Sequence, residues 1–324
     1  MPPLVPRVPR DEIRMPRPPT LTRRTLLASL AAAGAGSFVR PLAAAPERSP
    51  ILTRAIPSSR EALPLVGLGS WITFNVGEDA AARDSCAEVM RAFFEAGGRL
   101  IDCSPMYGSS QEVIGYGLAK LRRPAQLFSA DKVWISSGAG GPAQIEESRR
   151  RWGIPRFDLL QVHNLMSAEE HLRTLFSMKA AGRLRCVGVT TSDGRRHDEM
   201  ERLMRAHPLD FVQLTYNLLE REAQDRLLPL ARERGIGVIV NRPFRRGELI
   251  RKFERHPLPG WAREIDCLNW PQVLLKFIVS HPAITCAIPA TTRVDHVREN
   301  LGAASGRLPD EALRRRMVAD LEKL

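Results

Sequence analysis

The sequence predicts a single-domain α/β protein, and three features of the chain carry this prediction. From residue 65 onward, short apolar runs of four to six residues alternate with amphipathic stretches. The apolar runs number eight, and no complete glycine-rich dinucleotide motif follows the first of them. Near-continuous apolar strands that alternate with helices are typical of a parallel sheet covered by helices, and eight strands close most naturally into a (β/α)8 TIM barrel.

The predicted strands are the eight apolar runs, at residues 65–69, 100–104, 127–130, 159–163, 186–190, 211–216, 237–241 and 285–289. Helical periodicity occurs between them, most clearly in residues 80–96, 168–181, 221–234 and 271–280. Several of these segments end next to a glycine, as helices commonly do. We expect residues 51–63 to form a hairpin that closes the bottom of the barrel and residues 309–324 an extra terminal helix. Residues 245–269 are expected to be one long irregular insertion after strand seven.

A doubly wound open sheet is the competing topology. Such a sheet normally carries the pattern G-x-G-x-x-G directly after its first strand. Gly67-Leu68-Gly69 begins like this pattern, but Ile72 occupies the place of the third glycine. The sequence therefore favours the barrel.

The charge and cysteine content exclude several classes of function. The net charge is +12, but residues 1–45 contain seven Arg against two acidic residues, which leaves +7 for the remaining 279 residues. This charge could serve an anionic cofactor as well as DNA, but no zinc-finger spacing, RNA-binding motif or basic heptad favours DNA, so we expect no nucleic-acid partner. Five cysteines without a C-x-x-C pair argue against a disulfide framework and against a structural metal site.

Residues 1–45 are expected to be a twin-arginine-type signal peptide that precedes a barrel domain at residues 46–324. Arg23 and Arg24 come before a run of mostly Leu, Ala and Gly, residues 25–38, and the segment ends in three alanines. These are the parts of a bacterial secretory signal. The apolar run is shorter than the roughly 20 residues of a membrane-spanning helix, so we expect no permanent membrane span. The prediction implies contact with the export machinery and a periplasmic or otherwise extracytoplasmic location; the alternative is a disordered tail.

Ionisable residues follow three neighbouring predicted strands. Asp102 and Tyr107 follow the second strand, Lys132 the third and His163 the fourth. Because the carboxyl ends of barrel strands meet at one rim, we expect these four side chains to converge there. An ammonium beside a phenol favours its ionisation and lowers its pKa from about 10 toward neutrality, a carboxylate keeps the ammonium in place, and a neutral imidazole can orient a carbonyl. The sequence thus predicts a site that protonates an oxygen while hydride reaches the neighbouring carbon.

Six fragments, in order along the chain, resemble the aldo-keto reductase family. They span about residues 60–303 and read Leu100-Ile101-Asp102 to Tyr107-Gly108, Lys132-Val133, Gln161-Val162-His163, Gly188-Val189-Thr190-Thr191, Gln213-Leu214-Thr215-Tyr216-Asn217 and Ile288-Pro289 to Glu299-Asn300. The resemblance implies an NAD(P)H-dependent oxidoreductase that reduces an aldehyde or ketone, its small-molecule substrate, to an alcohol. The alternative is a cofactor-binding redox sensor or regulatory subunit with little turnover, because reduced nicotinamide is scarce outside the cytoplasm.

The resemblance also assigns roles to the residues. Tyr107 is the general acid, Asp102 and Lys132 adjust its acidity, and His163 orients the substrate carbonyl. Gln213 is expected to bind the nicotinamide carboxamide, and Tyr216 is expected to stack on the nicotinamide ring. Thr190 and Thr191 stand where the family commonly has Ser-Asn, so Thr190 replaces the serine hydroxyl whereas Thr191 offers no amide.

The remaining coenzyme contacts are expected after the last two strands. A loop over the pyrophosphate is implied for Asn241, Arg242, Pro243, Phe244 and Gly247, and a turn near the adenosine for Ile288, Ala290, Thr291, Arg293, Glu299 and Asn300. Ala290 and His296 hold the places where the family often has Lys and Arg for the 2′-phosphate, with Arg293 close by. NADP is therefore the expected cofactor and NAD the alternative. Trp71 and Trp134 follow strands one and three and are expected to line a pocket for an apolar or aromatic carbonyl compound.

Overall fold

The computed structural model describes residues 50–324. The expected signal peptide, residues 1–45, lies outside this range. A two-stranded antiparallel hairpin, β1 (Thr53–Ala55) and β2 (Ala62–Pro64), precedes an eight-stranded parallel sheet whose strands lie side by side in chain order. These strands are β3 (Leu68–Gly69), β4 (Leu100–Asp102), β5 (Phe128–Val133), β6 (Phe157–Val162), β7 (Leu184–Thr190), β8 (Phe211–Thr215), β9 (Gly237–Asn241) and β10 (Cys286–Ala287).

The sheet curls until its last strand meets its first. Val66 forms a parallel bridge with Ala287, and Gly69 forms one with Ala290. A Cβ atom on Gly69 would lie 2.8 Å from the carbonyl oxygen of Ile288, so glycine is required for the two strands to approach. Gly69 is therefore required at the junction of the first and last strands of the sheet, here called the seam, and not for phosphate binding. Sequential strand order and the seam identify a TIM barrel and exclude the doubly wound sheet.

Helices connect the strands and cover the outside of the sheet. In chain order they span Ala80–Glu95, Ser110–Lys120, Gly141–Trp152, Ala168–Ala180, His197–Ala206, Leu227–Arg234, Glu248–Phe253, Trp270–Val279, Val294–Gly302 and Glu311–Leu321. Asp79 begins the first of them by accepting a hydrogen bond from the backbone N–H of Ala82. Gly235 ends the helix Leu227–Arg234 with a φ of 64°, a conformation that suits glycine.

Two predicted segments differ from the structure. The helix expected at 221–234 begins only at Leu227, because residues 222–224 form a separate 3-10 turn. The insertion at 245–269 is not irregular throughout, since it contains the helix Glu248–Phe253 and the 3-10 helix Gly260–Ile265. These elements have only six residues each, too short for a clear periodic signal.

The hairpin closes one end of the barrel, as expected. Ile56 and Leu63 are fully buried and belong to the same apolar cluster as the inward-facing side chains of the strands. The cluster comprises, besides these two, Leu100, Phe128, Ala130, Leu159, Cys186, Phe211, Ile239, Cys286 and Ile288. The opposite end, at the carboxyl termini of the strands, is lined by polar residues, and this difference positions the site.

Lys276 joins the insertion to the C-terminal region. It lies in the buried helix Trp270–Val279 and is itself fully buried. Its ammonium donates to the carbonyl oxygens of Ile265 at 2.6 Å, Ser305 at 2.7 Å and Arg307 at 2.9 Å. Three carbonyl acceptors satisfy all three N–H groups, which makes burial of the charge tolerable.

All five cysteines are buried and unpaired. Between residues 50 and 324, no helix has both the length and the apolar character needed to cross a membrane.

Candidate active site

A buried ion pair between two neighbouring strands forms the base of the site. Asp102 ends β4, Lys132 lies near the end of β5, and their exposed fractions are 2% and 0%. Nζ of Lys132 lies 2.6 Å from Oδ2 of Asp102 and 2.7 Å from the carbonyl oxygen of Cys103. Burial by itself lowers the pKa of the ammonium, but the charges facing it, Asp102 first, outweigh burial and raise that pKa. Lys132 therefore stays protonated.

Tyr107 lies on a turn beside this ion pair. Nζ of Lys132 is 5.1 Å from the centre of the tyrosine ring. The turn is held because the Tyr107 N–H donates to the carbonyl of Ser104 at 3.0 Å, and the Ser110 N–H donates to the carbonyl of Tyr107 at 3.2 Å. Burial raises the pKa of Tyr107, and the opposing charge of Lys132 does not compensate. The expectation of a lowered phenol pKa is thus wrong in its net direction, and the phenol keeps its proton at neutral pH.

His163 completes the cluster in a neutral form. Its ring meets the ring of Tyr107 edge-on, with the two centres 5.8 Å apart. Burial, together with the charge of Lys132, lowers the pKa of His163 to about 3. Its Nδ1 lies 2.7 Å from Oγ of Ser104, and that oxygen also accepts the Met106 N–H at 3.2 Å. Ser104 is therefore best placed to donate to Nδ1, which leaves the imidazole hydrogen on Nε2.

Two glutamines orient Asp102 from the barrel interior. Nε2 of Gln213 donates to Oδ1 of Asp102 at 2.8 Å, and Nε2 of Gln161 lies 3.5 Å from the same oxygen. Oε1 of Gln213 is 3.4 Å from the Thr190 hydroxyl. The amide nitrogen of Gln213, expected to face the coenzyme, is thus bound to the carboxylate of Asp102.

The predicted coenzyme residues lie at or after the carboxyl ends of β7 to β10, except Gln213, which lies within β8. Thr190 ends β7, Thr191 follows it, and Asn241 ends β9. Asn241 links the ends of β7 and β8. Its Nδ2 donates to the carbonyl of Thr191, directly after β7, at 2.8 Å, and its Oδ1 accepts from the hydroxyl of Thr215, at the end of β8, at 2.7 Å. The others lie in the loop after β9 or after β10: Arg242, Pro243, Phe244, Gly247, Ile288, Ala290, Thr291, Arg293, Glu299 and Asn300.

The hydroxyl of Thr191 tests whether these residues suit a nicotinamide. Its Oγ1 is buried and has no hydrogen-bond partner within residues 50–324. A buried polar atom of this kind normally has a partner. The carboxamide of a nicotinamide bound at the strand ends would supply this partner, so the residues present fit a nicotinamide. The contact would be made by the Thr191 hydroxyl in place of the side-chain amide expected from the resemblance.

The loop after β9 has an unusual backbone. Arg242, Arg245 and Arg246 have φ values of 50°, 47° and 58°, and Gly247, with φ of 82°, begins the following helix. A left-handed conformation costs about 1 kcal/mol or more for a residue other than glycine. An ion pair between Arg242 and Asp193 holds the loop against the loop after β7.

Apolar side chains follow three successive strands at the rim. Ile72 after β3, Met106 after β4 and Trp134 after β5 are 61%, 37% and 37% exposed. The guanidinium of Arg246 covers the ring of Trp71, 4.5 Å from its centre. Trp134 is therefore open to a ligand, whereas one face of Trp71 is taken by the β9 loop.

The turn after β10 carries balanced charge. Arg293 donates to Asp295 with two nitrogens of its guanidinium, Nε to Oδ1 at 3.0 Å and Nη2 to Oδ2. The Arg293 N–H donates to Oγ1 of Thr291 at 3.1 Å, and that oxygen lies 3.4 Å from Nδ1 of His296. The arginine expected to reach a 2′-phosphate is thus already paired with a carboxylate.

The prediction that Tyr216 stacks on the nicotinamide is wrong. Tyr216 is fully buried in the layer between sheet and helices, where it stacks on Phe277 with ring centres 5.8 Å apart. Its hydroxyl accepts a hydrogen bond from Arg314 at 2.6 Å. Successive residues of a strand face opposite sides of the sheet. Gln213 faces the interior, so Tyr216, three positions later, faces outward.

Sequence reasoning missed Ser104 and the orienting role of Gln161. Both lie two positions from a residue already singled out, Ser104 after Asp102 and Gln161 before His163. Residues two apart share a face of a strand, so this alternation was the available signal.

Comparison with known proteins agrees with this geometry. The model of the Aldo/keto reductase family matches residues 65–316. Methylglyoxal reductase YeaE of Escherichia coli K12 is 29% identical over 243 residues, which cover 74% of this chain and 84% of that protein. The NADH-specific methylglyoxal reductase of the same organism is 26% identical over 331 residues, covering 86% of this chain and all of that protein.

A solved structure shares the fold. The aldo/keto reductase from Klebsiella pneumoniae in complex with NADP and acetate superposes with a TM-score of 0.68 at 25% identity, covering 81% of this chain and 92% of that one. The family match spans most of the chain and includes the ion pair, Tyr107 and His163. The chain therefore belongs to the aldo/keto reductase family of NAD(P)-dependent oxidoreductases.

Proposed function

We propose that this chain reduces an aldehyde or ketone to an alcohol, with Tyr107 as the proton donor and NADPH or NADH, when bound, as the source of hydride. The buried Lys132–Asp102 ion pair beside a protonated phenol is the observation that carries the proposal. Lys132 cannot easily lose its proton, so its positive charge is fixed next to Tyr107. That charge stabilises the phenolate that forms when Tyr107 gives its proton to the substrate oxygen.

His163 is proposed to orient the substrate. With the hydrogen on Nε2 and no charge, the imidazole donates one hydrogen bond to a carbonyl oxygen without competing as an acid. Ser104 holds the ring through Nδ1 and thereby fixes which nitrogen faces the substrate. Gln213 and Gln161 hold the Asp102 carboxylate from the other side.

For the coenzyme, we propose that Thr190, Thr191 and Asn241 bind the nicotinamide end and that the loops after β9 and β10 bind the remainder. Both NADPH and NADH are accepted under this proposal. Arg293 supplies positive charge for a 2′-phosphate, but Asp295 offsets it. One of the two Escherichia coli relatives is named as NADH-specific, which agrees with this reading.

We propose that the substrate carries an apolar group next to its carbonyl. The exposed side chains of Ile72, Met106 and Trp134 at three successive strand ends support this. The names of the two Escherichia coli relatives give methylglyoxal, a small ketoaldehyde, as their substrate. Phenylglyoxal has the same reacting groups and a larger apolar substituent, so the two compounds form a matched pair.

The test combines coenzyme titration with a rapid mixing experiment. Quenching of protein fluorescence should report binding of NADPH and of NADH to the purified protein. Stopped-flow mixing of the NADPH complex with methylglyoxal or phenylglyoxal should then show repeated turnover, faster with phenylglyoxal. Binding followed by one slow oxidation and no further turnover would contradict the proposal and favour a redox sensor.

We also propose that the chain is exported by the twin-arginine route, with residues 1–45 as the signal. The arginine pair, the short apolar run and the alanine exit support this proposal. Replacing Arg23 and Arg24 together by Lys should keep the protein in the cytoplasm of a bacterial host, as measured by cell fractionation. Arg17→Lys serves as the control because it lies outside the pair, and equal export of both variants would contradict the proposal.

A further inference from the structure

A second buried carboxyl lies directly behind the catalytic ion pair. Asp131 precedes Lys132 on β5 and is fully buried. Because neighbouring residues of a strand face opposite sides, Lys132 faces the barrel interior while Asp131 faces the helices outside. The proposed reaction assigns no role to this carboxyl.

The carboxyl of Asp131 binds one donor with each oxygen. Oδ1 accepts the backbone N–H of Lys132 at 2.7 Å, and Oδ2 accepts from Nε2 of Gln111 at 2.8 Å. Gln111 also donates to the hydroxyl of Ser148 at 2.9 Å. Gln111 and Ser148 are each 1% exposed, so water does not replace these bonds.

Through Gln111 these bonds extend to the tyrosine turn. Gln111 lies in the first turn of the helix Ser110–Lys120. The preceding residue, Ser110, binds the carbonyl oxygen of Tyr107 with both its hydroxyl, at 2.7 Å, and its backbone N–H, at 3.2 Å. One carboxyl therefore connects the backbone of Lys132 to the segment that carries Tyr107.

The charges around Asp131 are few. The titratable groups that act on it or respond to it are Lys132 on the same strand, Asp102 at the end of β4 and Cys103 directly after that strand. The two helices packed against it present the neutral side chains of Gln111 and Ser148. Burial raises the pKa of Asp131 to about 7, although Lys132 and the two N–H donors oppose this. Burial also raises the pKa of the Cys103 thiol, which stays neutral.

We propose that Asp131 is a positioning residue whose ionised carboxylate holds Lys132 and the Tyr107 turn in their reactive arrangement. An ionised carboxylate accepts both donors well, whereas a protonated carboxyl has one good acceptor and must weaken one of the two bonds. Protonation of Asp131 then loosens the connection between the two catalytic residues. The inference rests on the proposed function, because it concerns the same reaction.

Asp131→Asn separates charge from shape. The side-chain amide oxygen can still accept from the Lys132 N–H, and Gln111 can rotate its amide to accept from the new nitrogen. In the wild-type protein, the rate of NADPH oxidation in a single turnover should fall as the pH decreases through about 7, following Asp131. In Asp131→Asn the rate at pH 8 should be lower by roughly tenfold and should not change through this pH range.

Ser148→Ala is the matched structural control. It removes the other partner of Gln111 but no titratable group, so its pH profile should follow that of the wild type. Equal pH profiles for wild type and Asp131→Asn would overturn the inference. The same would hold if Ser148→Ala flattened the profile as Asp131→Asn does, because the effect would then be structural.

A stability measurement checks the titration without relying on turnover. The pKa of Asp131 is about 7 in the folded protein and about 3.9 in an unfolded chain. Its contribution to stability is therefore full below the lower value and is lost as the pH rises through the higher one. The urea midpoint of the wild type, relative to Asp131→Asn, should fall between pH 5 and pH 8, and a constant difference would overturn the inference. Failure of every carbonyl compound to react with the wild type would contradict the proposed function, and the midpoints would still decide whether Asp131 titrates.

Discussion

Tyr107→Phe is expected to lower the turnover number by about 10²-fold to 10⁴-fold, the usual contribution of a general acid, while coenzyme binding stays unchanged. Phenylalanine keeps the ring beside Lys132 and the edge contact with His163, so the shape of the site is preserved. What is lost is the phenol hydroxyl, which keeps its proton at neutral pH and is the proposed proton donor. Steady-state kinetics and fluorescence titration with NADPH measure the two quantities separately.

Tyr116→Phe provides the control for the same chemical change. Tyr116 lies on the exposed side of the helix Ser110–Lys120, where its hydroxyl donates to Asp84. Its removal should leave turnover unaltered. If Tyr107→Phe retained the wild-type turnover number, another group would have to supply the proton, and the proposed chemistry would be wrong.

Lys132→Met should destabilise the protein by about 3 to 5 kcal/mol, because it leaves the carboxylate of Asp102 buried without its partner. Gln213 remains bound to that carboxylate but carries no charge. Adding Asp102→Asn should recover most of the lost stability, since the double variant has no buried charge at this position. Neither variant should turn over, because both lack the ammonium beside Tyr107. Urea unfolding of the three proteins measures the stability differences.

Lys120→Met tests whether burial of the ion pair is the cause of the stability loss expected for Lys132→Met. Lys120 pairs with Asp84 at 2.5 Å, a distance close to the 2.6 Å of the Lys132–Asp102 pair, but both of its side chains are well exposed. Exposed pairs contribute little, so this variant should unfold almost as the wild type does. An equally small effect of Lys132→Met would show that the site is open to water and that its charge is not fixed.

The fold could be predicted from the sequence because the patterns that indicate its strands and helices are local and repeated. Eight apolar runs separated by helical segments determine both the number of strands and their parallel direction. The seam was less accessible, since the need for glycine at position 69 arises from contact with Ile288, more than 200 residues away along the chain. Short helical elements such as Glu248–Phe253 lie below the length at which periodicity can be recognised.

The site could be predicted from the sequence to the extent that the ends of the strands determine where its side chains lie. Asp102, Lys132 and His163 lie at the same rim because each is on the inward side, at or next to the end of its strand. Tyr216 shows where a motif misleads: alternation from Gln213 directs it outward, whatever the resemblance implies. The sign of the Tyr107 pKa shift was not accessible, because it depends on how strongly burial opposes the charge of Lys132.

The buried ammonium of Lys276 affects how the C-terminal part of the protein unfolds locally. Its ammonium is bound by carbonyls from the segment before its helix and from the segment after the helix Val294–Gly302. Detaching either segment alone would leave a positive charge in an apolar environment with incomplete coordination, which is costly. The last sixty residues of the chain should therefore exchange their amide hydrogens with solvent as one cooperative unit.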